Sequence, residues 1–118
     1  MNESQLKKKV NDEFKKRTGG LVFNISERYS SGIPDSYWAW RGYSCWVEYK
    51  VDSNNPTKIQ TKRINDLDTQ KIPSLVVKYK NNKDSYYIIL PGEHYCMIET
   101  GGIENLIDEI KSYAEGTC

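Results

Sequence analysis

The sequence predicts an α/β fold in which a mixed sheet is flanked by helices. Three observations carry that expectation. Apolar residues recur at helical spacing near both ends and once in the middle of the chain, β-rich runs fill the intervals, and the order is α-β-β-β-α-β-β-α. With 118 residues there is room for a single domain, 1–118, and not for two independent cores. A chain of this size buries roughly two-thirds of its unfolded surface, which is enough for a core without staples.

The first helix is expected over Ser4 to Arg17, where Leu6, Val10 and Phe14 form one apolar stripe among lysines. Ser4 is its expected cap, and Gly19-Gly20 stops it. Leu21 to Glu27 alternates as a strand does, and Arg28 to Asp35 is a loop punctuated by Gly32 and Pro34. Ser36 to Trp40 and Ser44 to Val51 read as two strands joined by a tight Arg41–Tyr43 turn. Asp52–Pro56 breaks the pattern before a helix at Thr57 to Thr69. That helix has Ile59, Ile64 and Leu67 as its apolar residues and Gln60 and Arg63 on a neighbouring face. Pro73 to Tyr79 and Ser85 to Leu90 form a hairpin around Asn81–Asp84. Pro91–Gly102 looks irregular, and Ile103 to Tyr113 is a last helix with Ile103, Leu106, Ile107 and Ile110 inward.

Charge is unevenly distributed. The 17 basic and 16 acidic groups leave a net of +1. Residues 1–80 carry 15 basic and 9 acidic groups, a net of +6, and residues 81–118 carry 2 and 7, a net of -5. The first two-thirds therefore suit a nucleic-acid partner despite the neutral total. No apolar run approaches a membrane span, and the Lys7–Lys9 start leads into polar residues unlike a signal peptide. Cys45, Cys96 and Cys118 are too few and too far apart for a disulfide framework or a zinc site, and suit reduced thiols in a cytoplasmic protein.

Gly32-Ile33-Pro34-Asp35, followed after twelve residues by Glu48-Tyr49-Lys50, is the segment that suggests chemistry. Of three Glu-x-Lys tripeptides, only this one falls on an expected strand, where period two puts both charged side chains on one face. Asp35 begins the strand paired with it. Two carboxylates from neighbouring strands, with the Tyr49 backbone carbonyl nearby, suit Mg²⁺ or Mn²⁺ completed by waters and a substrate phosphate. Lys50 beside the metal is placed to orient or deprotonate water and to oppose charge growing on the phosphate. Trp38 and Trp40 point to one face of their strand and suit core packing. The basic residues Lys8, Lys9, Lys58, Lys62 and Arg63 lie on the two helices expected to border the cleft. They are candidates for DNA phosphate contact, with Arg28 and Arg41 closer to the site.

At Pro34-Asp35 and Glu48-Tyr49-Lys50 the sequence resembles the PD-(D/E)XK nuclease superfamily, with its restriction-endonuclease-like αβββαβ core. Here that core would end near residue 79, followed by an extra strand and a C-terminal helix. Arg28-Tyr29-Ser30-Ser31-Gly32-Ile33-Pro34-Asp35 is similar to the loop of archaeal-type Holliday junction resolvases, which adds Ser30 and Ser31 to the expected DNA contacts. Gln60, followed by Ser74-Leu75-Val76-Val77, resembles the VRR-NUC branch. The resemblance implies a metal-dependent DNA endonuclease with Asp35, Glu48, Lys50 and Gln60 at its centre. It also implies an acidic metal ligand on the first helix, Glu3 in preference to Glu13. Ser36 departs from the pattern, which usually has an apolar residue there. Branched DNA as substrate and a homodimer are the further expectations. The alternatives are a sequence-specific or nicking endonuclease, or a non-catalytic nucleic-acid-binding module.

Overall fold

Residues 1–25, 32–92 and 96–116 are described in a computed structural model of the chain. Helix α1 spans Glu3–Thr18 and buries Leu6, Val10 and Phe14, as the stripe requires, together with Asn11. Its cap is Asn2 and not Ser4. The Asn2 side chain accepts the Gln5 N–H, and the Gln5 side chain accepts the Asn2 N–H, each at 2.8 Å. This reciprocal pair satisfies two donors that the first turn leaves open, whereas Ser4, two residues later, already lies within the helix. Gly19 ends the helix at φ +70°.

Strands β1 (Leu21–Asn24), β2 (Ser36–Trp40) and β3 (Tyr43–Val51) pair antiparallel. Helix α2 (Lys58–Thr69) crosses over to β4 (Ser74–Lys80), which lies parallel to β3. Strands β5 (Ser85–Leu90) and β6 (Cys96–Gly101) continue antiparallel, and α3 (Ile103–Glu115) closes the chain. The sheet runs β1-β2-β3-β4-β5-β6, six strands with one parallel pair, so the α/β class and the mixed sheet stand as expected.

Strand β6 corrects the irregular reading of Pro91–Gly102. Half of its residues are exposed at the sheet edge, and it ends at Gly101 with Gly102 directly after. An edge strand with one solvated face gives little apolar alternation to detect. The α2 reading also shifts. Ile59 is 39% exposed, while Gln60 and Ile64 face inward. The reading of Leu21 to Glu27 holds for Leu21–Asn24, and residues 26–27 lie outside the described residues.

Side-chain alternation divides the sheet into two faces. Helices α1 and α3 cover one face, packing Leu6, Val10, Phe14, Leu106, Ile107 and Ile110 onto Trp38, Val47, Tyr49, Leu75, Val77 and Ile88. Each such side chain contributes on the order of 1.5–3 kcal/mol by leaving water. The Phe14 ring stacks on Trp38 at 4.2 Å and meets Trp40 edge-on at 5.3 Å, so both tryptophans are core residues. On the other face α2 packs Ile64 onto Val76 and Ile89. Leu21 and Phe23 on β1 remain 60% and 51% exposed. None of the described helices is long and apolar enough to cross a membrane.

Candidate active site

The site forms where β3 outruns β2. The last β2–β3 pair is Ser36 with Val47, so Glu48, Tyr49, Lys50 and Val51 extend past β2 while β4 still pairs with them on the other side. Asp35, immediately before β2, falls opposite Glu48 in the same register. Its carbonyl accepts the Ile25 N–H at 2.9 Å and its Oδ2 accepts the Tyr49 N–H at 3.1 Å. A strand residue directs its N–H and C=O to the same side, so the Tyr49 carbonyl also faces the gap.

Period two places Glu48 and Lys50 on the α2 face and Tyr49 on the core face. Tyr49 is 1% exposed and its hydroxyl donates to Asn11 Oδ1, which also accepts Trp38 Nε1–H at 2.9 Å. Asn11 donates in turn to Asn24 Oδ1 at 3.1 Å and Ser36 Oγ at 3.2 Å. Burial holds the Tyr49 phenol well above its usual pKa, so it stays a neutral donor. This network ties α1, β1, β2 and β3 together directly behind Glu48 and Lys50. It also explains the polar Ser36, which a family pattern of apolar residues left without a reason.

Glu48 is 1% exposed, and its Oε1 accepts Gln60 Nε2–H at 3.2 Å. Gln60 reaches it because α2 begins with a second reciprocal cap. Thr57 Oγ1 accepts the Gln60 N–H at 3.2 Å, and Gln60 Oε1 accepts the Thr57 N–H at 2.9 Å. The cap consumes the amide oxygen and so fixes the NH₂ toward the carboxylate. Lys50 Nζ lies 3.5 Å from Glu3 Oε1, with the Lys50 side chain 13% exposed and that of Glu3 41%.

These groups line one cleft of about 590 Å³, with Ser4, Lys7, Ile25 and Thr57 completing the wall. Glu3 therefore reaches the cleft. Glu13 lies ten residues along α1, about 15 Å away at helical rise, and takes no part. Lys7 was not singled out from its neighbours in the sequence, although its i+4 relation to Glu3 is a signal that finds it. The three carboxylates and two ammonium groups on the walls leave a formal charge of -1. Both α1 and α2 also turn their N-terminal ends to the cleft, adding positive partial charge.

The basic residues sort differently from expectation. Lys8 is directed to Asp12 at 2.7 Å, and Lys62 and Arg63 both pair with Asp66, at 2.9 and 3.4 Å. Lys9 and Lys58 are exposed and do not line the cleft. Arg41 sits at the opposite end of β2, about 20 Å along the strand from Asp35, which corrects its expected nearness. Arg28, Ser30 and Ser31 lie outside the described residues.

Among the described residues no three His, Cys, Asp or Glu side chains make a ready-made metal cage. The donor set does fit a hexahydrated-type ion such as Mg²⁺, which takes one or two carboxylates and keeps waters and phosphate oxygens for the rest. A carboxylate as buried as Glu48, beside Asp35 and the Tyr49 carbonyl, offers such hard oxygens. A cation bound there would also offset the formal negative charge of the cleft. No model of a known protein family matches the chain, and no curated protein matches it.

Proposed function

We propose that this protein is a metal-dependent DNA endonuclease of the PD-(D/E)XK kind, hydrolysing phosphodiester bonds in branched or junction DNA. The observation that carries the reading is the convergence of Asp35, Glu48, Lys50, Gln60 and Glu3 on one cleft. These residues come from two helices, a loop and a strand. Packing alone has no need to gather them.

Asp35, Glu48 and the Tyr49 carbonyl would hold Mg²⁺ or Mn²⁺. The bound ion supplies Lewis acidity, lowering the pKa of a coordinated water and polarising a phosphoryl oxygen. Asp35 is oriented by the Tyr49 N–H and Glu48 by the Gln60 amide, so neither carboxylate must reorganise when substrate arrives. Lys50, 3.5 Å from Glu3 on the cleft wall, would orient or deprotonate the attacking water and oppose charge growing on the phosphate. The helix N-termini and Lys7 favour the phosphate at the cleft wall.

The exposed β1 face supports a homodimer. Phe23, Tyr37 and Trp46 form a chain of rings, 6.3 and 4.8 Å between centroids, on the side of the sheet away from α1 and α3. With Leu21 they make an apolar patch of the kind that marks contact sites. Two cleavage sites related by a two-fold axis suit symmetric cutting of a junction.

The test is incubation of the purified protein with a labelled four-way junction and a linear duplex, with Mg²⁺, Mn²⁺ or chelator. Cutting of the junction with metal and none with chelator or with Asp35→Ala is expected. Equal cutting by Asp35→Ala overturns the site. Duplex cut at least as well as junction removes the branched substrate and leaves an endonuclease. Binding without cutting under every metal condition leaves a nucleic-acid-binding module.

A further inference from the structure

A second polar pocket adjoins the first. It lies at the carboxyl ends of the parallel pair β3 and β4, where open α/β sheets present their ligand crevices. Its volume is about 650 Å³, and Asn55, Lys78, Lys80, Asn81 and Asn82 supply most of its wall. Lys78 is directly opposite Lys50 in the parallel register, so the two side chains leave the same face one strand apart, about 4.8 Å. Lys78 is 5% exposed, and its ammonium donates to Asn55 Oδ1 at 2.9 Å. Among the described residues it forms no ion pair.

A buried ammonium without a carboxylate partner is costly, and a protein retains one most readily where an anion completes it. Burial, followed by the neighbouring Lys80, draws the Lys78 pKa down against a smaller upward pull from Asp52. Asp52 is the acidic residue of the pocket wall, and its carboxylate is occupied by Asn81, accepting the backbone N–H at 2.8 Å and Nδ2–H at 3.0 Å. Lys80 stands at the rim, 4.7 Å over the Tyr87 ring. The lining is thus net +1, against -1 for the cleft next door.

We infer that this pocket is a phosphate subsite for the nucleic-acid backbone, in which Lys78, with Lys80 at the rim, grips a phosphate flanking the one that sits at Asp35, Glu48 and Lys50. The inference rests on the proposed function for the identity of the chain that runs between the two pockets. A bound cation would offset the negative charge of the acidic cleft; the basic pocket has no such charge to offset. The flanking contact therefore operates without metal and sets which phosphodiester falls at the site.

The experiment measures binding of labelled duplex, junction and single-stranded oligonucleotides in chelator over a range of salt, for wild type, Lys78→Gln and Lys80→Gln. Cleavage with Mg²⁺ is measured in parallel. Lys78→Gln is expected to bind about tenfold more weakly, the scale of one lost charge-assisted contact. Its slope of log affinity against log salt is expected to be shallower by about one. Lys80→Gln, on an accessible side chain, gives the same sign with a smaller effect. Unchanged affinity and slope in both variants, while wild type still cuts, overturns the subsite and leaves the nuclease. The expected losses together with no cutting by wild type under any metal keep the subsite and overturn the nuclease.

Discussion

Gln60 shows how one residue serves two levels of structure. Its amide oxygen closes the α2 cap on Thr57, and its NH₂ therefore has one direction left, toward Glu48. Gln60→Glu keeps the cap acceptor but faces a carboxylate with a carboxylate at the 3.2 Å contact. Activity is expected to fall about 10–100-fold, the usual cost of losing an outer-shell partner. Such a pair raises the pKa of the new carboxyl above its unfolded value of about 4.3, so the variant's deficit is a charged-form deficit. It is largest at neutral pH and shrinks as pH falls through the raised pKa. Thermal melts across pH check this: a gap from wild type that widens on acidification contradicts the geometry. The sequence made Asp35, Glu48 and Lys50 legible because strand period two and a short hairpin bring them together by local rules. Asn11 was not legible. Its position beside the Leu6, Val10 and Phe14 stripe says helix, and only the register of Tyr49, Trp38 and Ser36 reveals why an amide belongs there.

Elements position the site through the mismatch of β2 and β3, five residues against nine. The loop before β2 is held by Gly32, whose φ is +78° and whose absent Cβ would lie 2.7 Å from Ile59 Cγ1 and 2.9 Å from the Ile59 carbonyl. Only glycine lets Pro34-Asp35 approach α2 so closely. This also accounts for Ile59, one of the helix's expected apolar residues: it packs beside the incoming loop and stays partly exposed. Gly32→Ala is expected to cost about 1–3 kcal/mol from backbone strain alone. The loop shift also displaces Asp35, so metal-dependent cleavage is expected to fall by more than the melting temperature implies. A variant with wild-type melting and activity would show that the approach is not required. Strand β6 escaped the sequence for the opposite reason, since an edge strand's pairing comes from its neighbour β5 and leaves little mark on its own residues.

At the scale of the molecule, the two charge halves meet on one face of the sheet, where the lysine-rich α1 lies beside the acidic α3. The acidic helix α3 lies on the face opposite α2, and Glu104 and Asp108 take up Arg17 at 3.9 and 3.5 Å. On the α2 side, away from α3, Lys50, Lys78 and Lys80 leave the sheet beside the cleft, and Lys7 joins the cleft wall from α1. Composition registered this as near-neutrality, and only the split along the chain hinted at it. Assembly belongs to the same scale. Phe23→Asp puts a charge into the exposed β1 patch without touching the cleft lining. Sedimentation is expected to show a dimer for wild type and a monomer for the variant. A monomeric wild type that still cuts both strands of a junction would remove the homodimer.

The hydrogen bond from the Tyr49 N–H to Asp35 has a meaning outside catalysis. Where β2 ends, β3 would otherwise offer a bare strand edge, the kind of template on which a stray chain adds itself. Asp35 fills that position with a side chain and a negative charge. The carboxylate proposed to hold the metal would at the same time guard against misassembly. Removing it with alanine deletes both roles together, whereas Asp35→Asn keeps an acceptor for the amide and removes the charge alone. Insolubility of the alanine variant would then report an unprotected edge, and says nothing about the metal.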